Sequence, residues 1–109
     1  MKNPRAKIVP SNPRAGDIVE VKTLITHVME TGSRKDGSGR LVPRHIINKF
    51  YAKFNQRDVF RADFHPGISE NPYLSFRLRV PASGILVLTW IEDGGRKAVL
   101  EVPVKCVDG

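Results

Sequence analysis

Apolar side chains in this chain recur at every second position and nowhere at helical spacing, which restricts it to β structure. The cleanest case is Tyr73 to Val80, where Leu74, Phe76, Leu78 and Val80 alternate with Tyr73, Ser75, Arg77 and Arg79. Successive side chains of a strand point to opposite faces, so such a run rests one face on a core and turns the other to water. Lys97 to Val104 repeats the pattern, with Ala98, Leu100, Val102 and Val104 in phase. Asp17 to His27 sets Val19, Val21 and Ile25 against Glu20, Lys22 and Thr26. Leu24 breaks that phase, which predicts a twist or cover on both faces. Arg5 to Val9 predicts a short first strand, broken by Pro10-Ser11-Asn12-Pro13. His45 to Phe54 places Ile46, Asn48, Phe50, Ala52 and Phe54 together. Asn55-Gln56-Arg57 reads as a turn into a strand over Asp58 to Phe64, where the phase of Val59 and Phe60 is ambiguous. Ile85 to Glu92 is the most apolar segment, predicted to be central, with Trp90 in the core.

Pro81-Ala82-Ser83-Gly84 and Asp93-Gly94-Gly95 have turn composition and predict two hairpins. Pro103, which has no N–H for a ladder, predicts an edge or a bulge in the last strand. About seven strands at this spacing predict an all-β antiparallel sandwich, and residues 1–109 suit a single domain. The spacing Cys…Trp…Cys of antibody domains is absent, since Cys106 is the one cysteine; it rules out an intrachain disulfide and leaves an intermolecular one open.

The longest apolar run, Ile85 to Ile91, falls far short of the roughly 18 residues a membrane helix needs. The first residues, MKNPRAKIVP, have charge but no apolar stretch behind it, so no secretory signal is expected. That predicts a cytoplasmic protein, unless the chain is exported on a partner that carries the signal. The formal charge of +7 favours anionic partners: nucleic acid, acidic lipid, acidic protein or an anionic substrate.

The segment from His27 to Asn48, HVMETGSRKDGSGRLVPRHIIN, joins two strand-like runs by a long polar loop. It holds Gly32, Gly37 and Gly39 and the cations Arg34, Lys35, Arg40 and Arg44. Long loops in small domains are functional or disordered, which makes this one the expected partner surface.

The residues offer little for catalysis. His27, His45 and His65 lie far apart near strand ends, without HxH or CxxC spacing. Loops could bring two together, but zinc wants three or four ligands, so they are read as ordinary polar histidines and no metal or cofactor is expected. Cys106, beside Lys105, has no evident base or orienting group and stands where a chain end is expected to fray; it is read as inert or as paired with a partner's cysteine. No phosphate-binding glycine loop or nucleophile elbow occurs, and Glu92-Asp93 reads as a turn feature rather than a catalytic carboxylate pair. The chain is not expected to be an enzyme. The best nucleic-acid stripe is Lys49, Tyr51 and Lys53, with Arg77 and Arg79 on a neighbouring strand; a solvated outer sheet face explains it better.

Three motifs in order carry a resemblance. His27-Val28-Met29-Glu30-Thr31-Gly32 is followed by Arg34, Asp36 and Gly39, then by Pro43-Arg44-x-Ile46-Ile47-Asn48-Lys49-Phe50. Further on come Ala62-Asp63, Ser69-x-Asn71-Pro72-Tyr73-Leu74 and the apolar strand with Trp90 and Glu92-Asp93. From about Arg5 to Val104 the chain resembles the SoxZ family of sulfur-oxidation proteins. Val28 stands where that family has proline, and the tail with Cys106 does not map onto the pattern.

The resemblance implies an immunoglobulin-like β-sandwich and a non-catalytic role in a heterodimer with a SoxY-like subunit. That subunit carries sulfur intermediates of thiosulfate oxidation on a cysteine in a glycine-rich arm, and Cys106 lacks such glycines. It also implies transient contact with other thiosulfate-oxidation enzymes, and export to the periplasm on the signal-bearing subunit. The expected partner-binding residues are His27, Met29, Glu30, Thr31, Gly32, Arg34, Arg44, Asn71, Pro72 and Tyr73. Met29 would give adaptable apolar contact and Tyr73 an anchor with a polar tip. Against these stand plain core packing for Tyr73, turn shaping for Glu30-Thr31-Gly32 and an intramolecular brace for Arg44. The alternative function is a basic sandwich module that binds nucleic acid or another acidic partner.

Overall fold

The computed structural model describes residues 2–27, 32–64 and 72–107. They form seven strands: β1 (Lys2–Val9), β2 (Ile18–Thr26), β3 (Ile47–Phe54), β4 (Arg57–Asp63), β5 (Tyr73–Arg79), β6 (Gly84–Glu92) and β7 (Lys97–Val104). All pairings are antiparallel, in a three-stranded sheet β1-β2-β5 and a four-stranded sheet β4-β3-β6-β7. The all-β sandwich and its strand count agree with the alternation in the sequence.

The core lies between the sheets. Val19, Val21 and Ile25 of β2 and Phe76 and Leu78 of β5 meet Phe50, Ala52 and Phe54 of β3 and Leu86, Leu88 and Trp90 of β6. Phe50 sits at the join: its ring is 5.2 Å from Trp90 in its own sheet and 6.1 Å from Phe76 across the core. Phe60 of β4 stacks on Phe76 at 4.6 Å. Each fully buried aromatic or aliphatic side chain contributes about 1.5–3 kcal/mol, so this cluster sets the distance between the sheets. β6 is central, between β3 and β7, and Pro103 lies on the edge strand β7 opposite Ile85.

Several local expectations change. Leu24 does not break β2. Thr23 takes the inward position, buried, its hydroxyl donating to the Leu74 carbonyl at 2.8 Å, and Leu24 keeps the outward phase. Asn48 lies at a register shift between Ile47 and Lys49, so Ile46 and Ile47 are both buried where strict alternation would expose one. A second shift, at Ala52/Lys53 against Phe60 and Asp58, leaves both Val59 and Phe60 half-buried and accounts for their ambiguous phase. The turn before Gly84 is no hairpin. It carries the chain from β5 in one sheet to β6 in the other. The end of β5 is tied instead to the turn before β2: Gly16 N–H donates to Val80 O at 2.7 Å and Val80 N–H to Asp17 O at 2.9 Å. Nor does the end of the chain fray as far as Val107. Its N–H donates to Pro13 O at 2.9 Å, and Cys106 N–H donates to Ser83 Oγ at 2.8 Å, with Cys106 half-buried against the core.

Candidate functional site

The long loop is built, over its described part, as a small self-bonded hairpin. Asp36 organises it: its Oδ1 accepts from Ser38 N–H at 2.9 Å, Ser38 Oγ at 2.7 Å and Arg40 N–H at 3.0 Å. These bonds, the Ser38 hydroxyl first, hold the Asp36 carboxyl below its usual range. Asp36 N–H donates to Arg40 O and Val42 N–H to Arg34 O, both at 2.8 Å, and Lys35 bridges to Leu41. Short polar side chains that capture neighbouring backbone donors stabilise such turns locally.

Two adjacent residues at the end of β6 fasten this loop to the sandwich. Asp93 takes Arg44 in a fork, Nε at 2.9 Å and Nη2 at 2.8 Å. It also accepts from Asn48 Nδ2 at 3.0 Å and Ile46 N–H at 3.2 Å, while its own N–H donates to Ile46 O at 2.8 Å. The Arg44 guanidinium, ahead of the other donors, lowers the Asp93 carboxyl to about 2. Arg44 is therefore braced within the chain, with half of its side chain exposed. Gly32 lies beside it, at φ 90°, with its missing Cβ directed at the Arg44 Cβ.

Glu92 faces the other way, inward, because neighbouring strand residues alternate. Its Oε2 lies 2.8 Å from Nε2 of His27 at the end of β2 and 3.1 Å from Nε2 of His45. The two imidazoles lie 5.5 Å apart and nearly parallel. Burial alone would push the Glu92 carboxyl up; the hydrogen bonds from His27 and His45 together outweigh it and lower the carboxyl. His27 and Glu92 are almost fully buried, whereas the His45 side chain is 46% exposed. An ionised carboxylate only accepts, so each Nε2 carries the proton toward it. His27 Nδ1 is buried without a hydrogen-bond partner among the described residues. One carboxylate thus ties the start and the finish of the long loop to the same strand end. The reading of Glu92-Asp93 as a turn feature missed this. The two carboxylates serve different partners, and the signal available was the strand phase, which sends Glu92 inward and leaves a buried carboxylate in need of donors.

Of the expected partner-binding residues, His27, Gly32 and Arg44 gather at this end of the sandwich. Arg34 lies in the hairpin. Pro72 is buried and Tyr73 is exposed at the start of β5. Met29, Glu30, Thr31 and Asn71 lie outside the described residues. Tyr73 is 59% exposed, so it is not a core residue. It stands opposite outward-facing Leu24, which in turn stands opposite Arg5 of β1. A groove of about 310 Å³ opens there, lined by Ala6, Leu24 and Tyr73 with Arg5, Lys7 and Lys22.

The basic stripe is not assembled as expected. Lys49, Tyr51 and Lys53 are in the four-stranded sheet, whereas Arg77 and Arg79 are on β5 of the other. On β4, one of the two strands beside β3, Asp63 stands opposite Lys49, Arg61 opposite Tyr51, and Asp58 lies 4.0 Å from the Lys53 ammonium. Acidic residues interleave the cations, and a strand binder needs the opposite.

The chain is similar to known proteins in two ways. The family model described as sulphur oxidation protein SoxZ matches residues 7–103. No curated protein matches significantly. Among solved structures, the superoxide reductase (neelaredoxin) of Ignicoccus hospitalis superposes with a TM-score of 0.70 at 18% identity, over 97% of this chain and 81% of that one. A single-substitution variant of that reductase gives a TM-score of 0.72 at 19% identity, over 96% and 80%. At such identities the likeness is one of fold.

Proposed function

The chain belongs to this SoxZ family of sulfur-oxidation proteins, and from that premise we propose that it is the non-catalytic half of a sulfur-carrier heterodimer. Its partner is a SoxY-like subunit whose cysteine carries the covalent intermediates of thiosulfate oxidation. The pair works in the periplasm, where the signal-bearing subunit brings this chain. The sandwich acts as scaffold and docking surface, and the other thiosulfate-oxidation enzymes contact the pair transiently.

The observation that carries the docking reading is Tyr73. An aromatic side chain 59% exposed on a sheet face, beside half-buried Leu24 and a groove with cationic sides, is suited to an interface centre. Tyrosine contributes a large apolar body at small entropic cost and a hydroxyl for the polar edge. The surrounding Arg5, Lys7 and Lys22, within a chain of net charge +7, favour an acidic partner and the anionic groups on a carrier arm.

A pull-down of the tagged chain from cells grown on thiosulfate, with intact-mass analysis, tests the reading. A stoichiometric partner with a glycine-flanked cysteine carrying sulfur adducts is the expected result. Nucleic acid or unrelated proteins in its place would overturn the carrier-subunit role. Tyr73→Ala should reduce co-purification, and full retention would count against this placement of the interface.

A further inference from the structure

We propose that His27, His45 and Glu92 form a binding site for a divalent first-row transition-metal ion, with the remaining coordination positions open to water at the His45 side. The donor set is two imidazole nitrogens and one carboxylate oxygen, which suits zinc-class ions and iron(II) and supplies three ligands of a site open to solvent.

Two of the three donor separations are close to what a metal requires. Bonds of about 2.0–2.1 Å in a tetrahedral site put neighbouring ligand atoms about 3.3 Å apart. Both histidine nitrogens are already near that distance from Glu92 Oε2, at 2.8 and 3.1 Å, and the three ligand atoms lie within 4.8 Å of one another. An ion would replace the two protons that now lie between nitrogen and oxygen; the two nitrogen–oxygen separations would open by a few tenths of an ångström, and the two imidazoles, now stacked 5.5 Å apart, would turn to aim both nitrogens at the ion.

Two further observations bear on a ligand here. Two imidazoles converge on the same oxygen of Glu92 from different segments, the end of β2 and the residues before β3. The third donor, His45, is 46% exposed, which gives an ion and its water a route in without unfolding the core. The donors arise from positions 27, 45 and 92, and the ion would close the loop between the first two onto β6.

Titration of the chelator-stripped full chain with Co²⁺ tests this. One equivalent should bind and give a ligand-field spectrum distinct from aqueous cobalt, displaced by Zn²⁺ or by Fe²⁺ under anaerobic conditions, in an order that identifies the preferred ion. His45→Ala should weaken binding by at least about tenfold, since even loss of a residue supporting a ligand weakens metal sites tenfold or more. The exposed position of His45 lets this variant fold, which thermal unfolding would verify; Glu92→Gln provides the second ligand test. Cys106→Ser should leave the spectrum unchanged. Absence of a protein-specific cobalt spectrum would overturn the proposal. So would binding that survives both His45→Ala and Glu92→Gln, or that disappears with Cys106→Ser. These readouts do not depend on a SoxY-like partner.

Discussion

Asp93 holds Arg44 through two parallel hydrogen bonds of 2.8 and 2.9 Å, and so joins the finish of the long loop to the turn between β6 and β7. Removing the two partners should have unequal effects. Arg44→Ala leaves Asp93 with Asn48 and the Ile46 N–H, and because water screens the exposed guanidinium it should destabilise only slightly. Asp93→Ala removes the acceptor of three residues, the part-buried Asn48 amide and Ile46 N–H among them, and should destabilise by about 1–3 kcal/mol. Urea unfolding of both variants checks the ranking; equal losses would mean that the ion pair, not the wider network, holds the loop.

The same network predicts behaviour in acid. Arg44 and its fellow donors lower the Asp93 carboxyl from 3.8 to about 2. A carboxyl lowered in the folded state binds its proton more weakly there than in the unfolded chain. Its stabilisation is thus complete above the unfolded value near 3.8 and falls away as pH drops toward about 2. The stability difference between the wild type and Asp93→Asn should be constant near neutral pH and shrink across that window. A difference unchanged from pH 5 to pH 2 would remove the Asp93 carboxylate as its source.

The β3–β4 turn contains a replaceable strain. Asn55 and Gln56 both have positive φ, 49° and 72°, the pattern of a two-residue turn that favours Asn-Gly. Asparagine tolerates that region, whereas a glutamine there is strained by about 1 kcal/mol or more. Gln56→Gly should raise stability by about 0.5 kcal/mol after the added freedom of glycine in the unfolded chain is subtracted. A fall in the denaturation midpoint would show that the Gln56 side chain contributes contacts of its own.

Gly84 is required for a close approach rather than for a turn. A Cβ there would collide with the side-chain amide of Asn55, whose Oδ1 accepts from Ile85 N–H at 3.0 Å. Gly84→Ala must displace the Asn55 side chain and break that exposed bond, and should destabilise by about 0.5–1.5 kcal/mol. Combining it with Asn55→Gly should recover part of the loss. Additive losses in the double variant would place the defect elsewhere.

What the sequence by itself determined is the strand framework, because alternation is a local property. Phe76 and Leu78, or Leu86, Leu88 and Trp90, announce their inward faces through the residues between them, and Asp93-Gly94-Gly95 marks the hairpin that joins β6 to β7. The ordered motifs likewise pointed to the family. Tertiary structure decided the rest. Which sheet a strand joins depends on pairing across the chain, so Lys49 and Arg77, both legible as outward cations, fell into different sheets. Tyr73 could be assigned to core or surface only once Leu24 was seen beside it on the outer face. Strand phase marks Glu92 as inward, but its meeting with His27 and His45 is not local: 65 residues separate His27 from Glu92, and only the packing of the two sheets brings them together.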